Sequence, residues 1–242
     1  MTELELEVKS APTHGARPED LNLNKMRQRW FAAKALSPHR TILELNAGEG
    51  NLSERVYARL NPRRMVLVDD DQGALERARQ RLAKFSIKKE FYPIKNERFI
   101  KDHLGRYSDI SLVDFDPYGS PGRTVAKFFE RYRVRQPMVV ALTDGLPVDM
   151  RPWRNIDYME MYSLGKSVSP PSVGEICQMH DVMMKNLGAR SGFVAKRLNR
   201  DFGGRSGRAV YGAYLLRPVG TQAKFFHPIL SRLTSLASPP TV

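Results

Sequence analysis

The chain has 242 residues, and 39 Lys and Arg against 26 Asp and Glu give it a formal net charge of +13. Its 41% hydrophobic and 27% charged residues are typical of a globular protein and exclude a disordered tail. It has no run of about 18 apolar residues, and its acidic start is not a secretory signal, so no membrane partner is expected. The single cysteine, Cys177, indicates a reducing cytoplasm, and the charge excess indicates a polyanionic partner.

Residues 1–20 mix Pro, Gly and charged residues without periodicity and are predicted to form a flexible arm. Residues 21–218 alternate short apolar runs, typical of buried strands, with apolar residues at helical spacing, and 219–242 form an extension. The strands are expected at 41–45, 65–68, 91–94, 110–115, 138–142, 192–198 and 209–216, with a polar loop at 199–208. This order predicts a single Rossmann-like α/β domain. Its seven-stranded sheet is mostly parallel with an antiparallel edge strand, and helices cover both faces.

A glycine loop, ELNAGEG from Glu44 to Gly50, follows the first predicted strand. Glycines there let the backbone approach a ligand at the carboxyl edge of the sheet. The next strand ends in Asp69, Asp70 and Asp71, about 20 residues further on, where a carboxylate can accept both hydroxyls of a ribose. The two features together predict a ligand that contains a nucleoside.

The identity of that nucleoside ligand depends on the residues around the loop. A dinucleotide site requires a third glycine where this chain has Ser53, and the acidic Glu44 suits a cationic ligand. The pattern E-x-N-x-G-x-G resembles the first motif of the class I methyltransferases, which bind S-adenosylmethionine. The resemblance implies that Asp69 holds the ribose and that the Gly48–Gly50 loop passes under the methionine part. Asn96 occupies the place of an acid that accepts from the adenine amino group, and an Asn can accept through its carbonyl oxygen. The candidate cofactor-binding residues are Glu44, Asn46, Gly48, Gly50, Asp69, Asp70, Asn96 and Asp114.

The loop after the fourth strand, DFDPYGSP from Asp114 to Pro121, is the most specific feature of the chain. The exocyclic amine of a nucleobase is a poor nucleophile because its lone pair is delocalised into the ring. Two acceptors aimed at its N–H groups free that lone pair, and an aromatic ring beside them can stack on the base. Asp116, the Pro117 carbonyl and Tyr118 fit these roles and are the candidate catalytic residues. The alternative is a proline-rich turn with an aspartate cap.

The same loop resembles the D-x-D-P-F-G-S-P signature of the tRNA guanine-26 N2-dimethyltransferases, and VALTDG at 140–145 resembles their T-x-T-D stretch. The resemblance implies methyl transfer to guanine N2 in tRNA, with Thr143 and Asp144 near the base. Methylation of adenine N6 or cytosine N4 in RNA or DNA is an alternative, as is an RNA-binding protein without transfer activity. Cytosine C5 methylation is excluded because neither loop supplies a cysteine nucleophile.

The remaining candidates are residues for RNA contact and for metal binding. Arg200, Arg205 and Arg208 lie in the polar loop and are predicted to contact phosphate, the alternative being a solvated face. Cys177 falls in an amphipathic helix and is expected in the core. The five histidines are scattered without ligand spacing, so no metal site is expected.

Overall fold

The computed structural model describes residues 23–117, 119–145, 173–203 and 209–220, and in these ranges seven strands form one sheet. The strands are β1 (Thr41–Leu45), β2 (Arg64–Asp69), β3 (Lys88–Pro93), β4 (Ile110–Phe115), β5 (Met138–Asp144), β6 (Phe193–Gly203) and β7 (Ala209–Pro218). Their order across the sheet is β3-β2-β1-β4-β5-β7-β6. The first five strands are parallel, and β7 pairs antiparallel with both β5 and β6. The predicted α/β fold is therefore confirmed, and the antiparallel pair occupies one edge with β6 outermost.

Helices cover both faces of the sheet. They are α1 (Leu23–Lys34), α2 (Gln72–Leu82), α3 (Asn96–Asp102), α4 (Gly122–Arg131) and α5 (Val173–Ser191). An irregular helix over 51–60 contains a π-helical turn at Ser53–Tyr57 and a 3-10 turn at Ala58–Leu60. A second 3-10 turn spans Leu104–Arg106.

The core consists of two apolar layers, one on each face of the sheet. Phe99 of α3, Phe128 of α4 and Met184 of α5 belong to one layer, whereas α1, the irregular helix and α2 build the other. Strand β1 supplies Leu43 to the first layer and Ile42 to the second, as the alternation of side chains along a strand requires. Because both faces are covered, β1, β4 and β5 are buried along their whole length, which is why they read as continuous apolar runs.

The prediction of a polar loop over 199–208 is wrong in its first half. Strand β6 continues to Gly203, and Arg200 pairs with Gly212 of β7. Pairing with β7 provides the backbone hydrogen bonds that the polar side chains of this segment did not indicate. The predicted arm 1–20, most of the predicted extension 219–242, and the candidates Tyr118, Arg205 and Arg208 lie outside the described residues.

Candidate active site

The glycine loop leaves β1 with three residues in the left-handed region of backbone conformation. These are Asn46 at φ 65°, Gly48 at φ 51° and Gly50 at φ 73°. Asparagine is among the few non-glycine residues that adopt this conformation readily, which explains why an Asn fits the first of the three places. At Gly50 the loop also packs closely on α2, since a Cβ there would lie 2.9 Å from the Cβ of Ala78.

The carboxylate of Asp69 fixes the loop from the end of β2. One of its oxygens accepts from the amide of Gly48 at 2.8 Å, and the other accepts from the amide of Asp71 at 3.0 Å. Asp71 in turn caps α2 by accepting from the amide of Ala74 at 2.9 Å. The acidic strand end therefore orders the loop and starts the following helix, and a ribose contact by Asp69 stays a prediction.

A cleft of about 430 Å³ opens at this edge of the sheet. Its size lies within the range of about 300–1,000 Å³ that is usual for small-molecule sites. The residues that line it come from the ends of four segments: Asn46, Asp70, Lys95, Asn96, Glu97, Pro117, Arg123 and Thr124. The structure thus brings three of the predicted cofactor residues and one predicted catalytic residue to one cleft.

Asn96 has a side-chain carbonyl oxygen, which is the kind of acceptor that an adenine amino group needs. Its Nδ2 donates to Oδ1 of Asn46 at 2.6 Å, whereas its own Oδ1 is buried and has no hydrogen-bond partner in the described part of the chain. A buried carbonyl oxygen normally has a partner, so this atom fits a donor that a ligand supplies. The cleft therefore suits a nucleoside cofactor at this end.

Glu44 and Asp114 are buried side by side on β1 and β4. Ser53 donates to the buried carboxyl of Glu44. Burial raises the pKa of Glu44 well above its ordinary value, and the neighbouring Asp114 adds to the rise, so the neutral carboxyl is favoured. Neither side chain lines the cleft, and direct contact between either of them and a cofactor stays a prediction.

Asp114 is held by Arg29 of α1, and both side chains are completely buried. Arg29 donates to the two oxygens of Asp114 at 2.9 and 2.8 Å, and Tyr57 donates to one of them. The other three N–H bonds of the guanidinium go to Gln28, the Leu142 carbonyl and the Thr143 hydroxyl, so all five donors are used. Burial alone lowers the pKa of Arg29, but Asp114 outweighs it and the pKa is raised.

Asp116 follows β4 and forms an ion pair with Lys25 at 2.5 Å. Lys25 lies on α1, one helical turn before Arg29. Burial alone raises the pKa of Asp116, but Lys25 and Arg29 outweigh it, and Thr143 adds a hydrogen bond. The pKa of Asp116 is therefore below its ordinary value, and the carboxylate stays ionised. Pro117, the next residue, lines the cleft.

The loops after β4 and β5 are tied together. The amide of Gly145 donates to the carbonyl of Gly119 at 3.0 Å, and Gly119 has φ 127°. Asp144, at the end of β5, is buried and lies 3.0 Å from Nε2 of His180 on α5. The predicted substrate residues Thr143 and Asp144 therefore lie beside the loop that contains Asp116, but both are bound to other side chains.

No model of a known protein family matches the sequence, and no curated protein matches it. Solved structures are similar in fold. Trm1 from Pyrococcus horikoshii, solved with S-adenosyl-L-methionine, has a TM-score of 0.56 over 81% of this chain at 16% identity, and the chain spans 55% of its length. TYW2 of P. horikoshii, in complex with MeSAdo, has a TM-score of 0.52 at 12% identity over 85% of this chain and 65% of that one. An inferred RNA methyltransferase of that organism has a TM-score of 0.53 at 16% identity over 92% of this chain and 99% of that one. The chain has the class I methyltransferase fold.

In this class I fold basic residues on and just after α2 form ion pairs with acids of the glycine loop and of the irregular helix. Arg77 and Arg81 bind Glu49 of the glycine loop at 2.9 and 3.1 Å, and Lys84 binds Glu54 at 2.6 Å. The surplus charge is therefore not concentrated on this helix. Arg200 lies on β6 and is not among the residues that line the cleft.

Sequence reasoning missed the part that α1 plays. Lys25, Arg29 and, in the irregular helix, Tyr57 all hold the acidic end of β4. The available signal was the spacing of Lys25 and Arg29, which are four residues apart and therefore share a face of the helix. His180 is buried against Asp144. Cys177 is buried in the core, as predicted.

Among the described residues, no helix is both long enough and apolar enough to cross a membrane. Nor do three or more of the His, Cys, Asp and Glu side chains of these residues gather where they could hold a metal ion.

Proposed function

We propose that this chain binds S-adenosylmethionine and methylates the exocyclic N2 of guanine in RNA, with tRNA as the substrate. The observation that carries the proposal is a single cleft lined both by Asn46, Asp70 and Asn96 and by Pro117. The glycine loop and the DPYGSP loop are more than 60 residues apart in sequence, yet they meet there. A cofactor that fills the cleft therefore ends next to the loop that is expected to hold the base.

The residues that would hold the cofactor are the backbone of the Gly48–Gly50 loop, Asp69 and Asp70 at the end of β2, and Asn96. The unpartnered Oδ1 of Asn96 is an acceptor for an adenine amino group, and the β2 acids are acceptors for ribose hydroxyls. The structures of Trm1 and TYW2, which contain S-adenosyl-L-methionine and MeSAdo, support this assignment. When bound, S-adenosylmethionine supplies an electrophilic methyl group on a sulfonium sulfur.

Asp116 and the Pro117 carbonyl would accept hydrogen bonds from the two N–H groups of the base amine. With both hydrogens held, the nitrogen lone pair is free to point at the methyl group. Because Lys25 keeps the pKa of Asp116 low, the carboxylate orients the amine as a hydrogen-bond acceptor without keeping the proton. The proton that the product amine loses therefore goes on to water.

Basic side chains around the cleft support a nucleic acid substrate. Lys95 and Arg123 line it. Lysine and arginine at such a rim can contact phosphates while a base leaves its stack to reach the acceptors. The choice of tRNA and of guanine N2 rests on the likeness of the DPYGSP loop to the signature of the tRNA dimethyltransferases.

Labelled S-adenosylmethionine, incubated with unmodified tRNA, rRNA and DNA and followed by nucleoside analysis, tests the proposal. We expect label in N2-methylguanosine from tRNA. Label in N6-methyladenosine or N4-methylcytidine would overturn the guanine assignment in favour of the alternative base. Cofactor binding without transfer to any nucleic acid would favour a binding protein, and no cofactor binding would overturn the whole proposal.

The variant Asp116→Ala tests the catalytic assignment. We expect transfer to be abolished, because the base amine loses its charged acceptor, while S-adenosylmethionine binding measured by calorimetry stays within about threefold of the parent. Asp102→Ala, which removes a carboxylate from the end of α3, is the matched control and should retain transfer. A large loss of cofactor affinity in Asp116→Ala would mean that Asp116 contacts the cofactor and not the base.

A further inference from the structure

Two asparagines that line the cleft contact each other at the end expected to hold a nucleobase. Asn46 comes from the glycine loop and Asn96 from the first residue of α3, and both line the cleft. Nδ2 of Asn96 donates to Oδ1 of Asn46 at 2.6 Å, although the two residues are 50 positions apart in sequence. The contact therefore joins two separate segments of the site through a pair of side-chain amides.

The contact determines which end of the Asn96 amide is turned towards Asn46. The carbonyl and amino ends of an Asn side chain have nearly the same shape, so the surrounding hydrogen bonds decide its orientation. Here the acceptor oxygen of Asn46 takes the amino end. The carbonyl end of Asn96 is left buried and without a partner in the described residues. A carboxylate in the place of Asn96 would need no such help, because both of its ends are acceptors.

We propose that Asn46 is a positioning residue that holds the Asn96 amide with its carbonyl end available to the ligand. This makes the cleft selective for a nucleobase with an amino group, such as adenine, over one with a carbonyl in that place, such as hypoxanthine. An inverted Asn96 amide would present its amino end and would accept the carbonyl base. The inference rests on the proposed binding of S-adenosylmethionine and adds the residue that determines the selectivity of that site.

The variant Asn46→Gly removes the side chain without straining the backbone, because glycine readily adopts the φ of 65° found there. The probes are S-adenosylhomocysteine and its 6-oxo analogue S-inosylhomocysteine, each titrated by calorimetry into the full chain. We expect the parent to prefer the adenosine compound by about tenfold or more, which corresponds to about 1.4 kcal/mol. In Asn46→Gly this ratio should fall to within about threefold of unity.

Three further variants separate positioning from a general structural role. Asn61→Gly is the matched control, because Asn61 is the other non-glycine residue with a left-handed φ, at 47°, in the part of the chain that the structure describes, and it does not line the cleft. It should keep the parent ratio. Asn46→Asp should also keep it, since a carboxylate still accepts from Nδ2 of Asn96. The double variant Asn46→Gly with Asn96→Asp should recover it, because a carboxylate has no donor end.

The outcomes are distinguishable. If Asn46→Gly keeps the parent ratio, or weakens both compounds equally, Asn46 does not orient Asn96 and the inference is overturned. Loss of the ratio in Asn46→Asp would overturn it too. If the parent binds neither compound, the proposed cofactor is wrong and the inference fails together with it.

Discussion

Replacement of Arg29 by methionine should strongly destabilise the fold. Arg29 and Asp114 are fully buried, and the guanidinium uses all five of its N–H donors on five different bonds to α1, β4 and β5. Methionine has a similar length but no charge and no donor, so Asp114 would stay in the core without a counter-ion. Removal of one partner of a buried pair typically costs about 3–5 kcal/mol, a large part of the about 5–15 kcal/mol that keeps most domains folded.

The destabilisation should come from the unpaired carboxylate more than from lost packing, and the assay can separate the two. Urea unfolding followed by circular dichroism gives the free energy of unfolding of Arg29→Met, of Asp114→Asn and of the double variant. The double variant should lose less than the sum of the single losses by at least about 1 kcal/mol, since it contains no unpaired charge. Arg29→Lys, which keeps the charge but offers only three donors, should fall between the parent and Arg29→Met. A loss below about 1 kcal/mol for Arg29→Met, or strict additivity, would refute the reasoning.

Two other predictions concern the edges of the site. Lys25→Met should raise the pKa of Asp116, because the ion pair at 2.5 Å helps to keep that pKa below its ordinary value. The acidic limb of the pH profile of methyl transfer should then move to higher pH. An unchanged acidic limb would contradict this prediction. Gly50→Ala should lower the free energy of unfolding in urea by at least about 1 kcal/mol more than Gly48→Ala. Both variants place a Cβ at positive φ, but only at Gly50 would it meet Ala78, at 2.9 Å, so equal losses would mean that the close packing on α2 is unimportant.

The sheet and the cleft were largely predictable from sequence, for two physical reasons. Strands that are buried on both faces read as apolar runs, so the bounds of β1 and β4 agree with the prediction. Parallel strands end at the same edge, which is why the glycine loop, Asp70 and Pro117 could be expected to meet. The polar end of β6 was missed at Arg200, because its strand conformation depends on pairing with β7, which leaves no periodic pattern in its own side chains.

The buried cations were not predictable in the same way. A lysine or arginine on a helix is usually at the surface, so residue type alone does not distinguish Arg29 from its exposed neighbour Arg27. Burial of Arg29 depends on what the helix packs against, namely an acidic strand end that lies 85 residues further along the chain. The orientation of the Asn96 amide is also a tertiary property, because it depends on the hydrogen bond that Asn96 donates to Asn46.

The geometry of α1 and β4 nevertheless explains why these charges pair as they do. Lys25 and Arg29 are four residues apart on a helix, which is about 6 Å along its axis, and Asp114 and Asp116 are two residues apart at a strand end, which is about 6.6 Å. Both pairs point to one side of their element, so a helix lying on this face and running antiparallel to the strand matches each cation with one acid. Arg29 thereby holds the buried end of β4 through Asp114. Lys25 lowers the pKa of Asp116, the first residue beyond the strand. Because one helix makes both contacts, a shift of α1 would change the ionisation of Asp116 as well as the stability of the sheet. The helix at the start of the described chain is therefore part of the candidate active site.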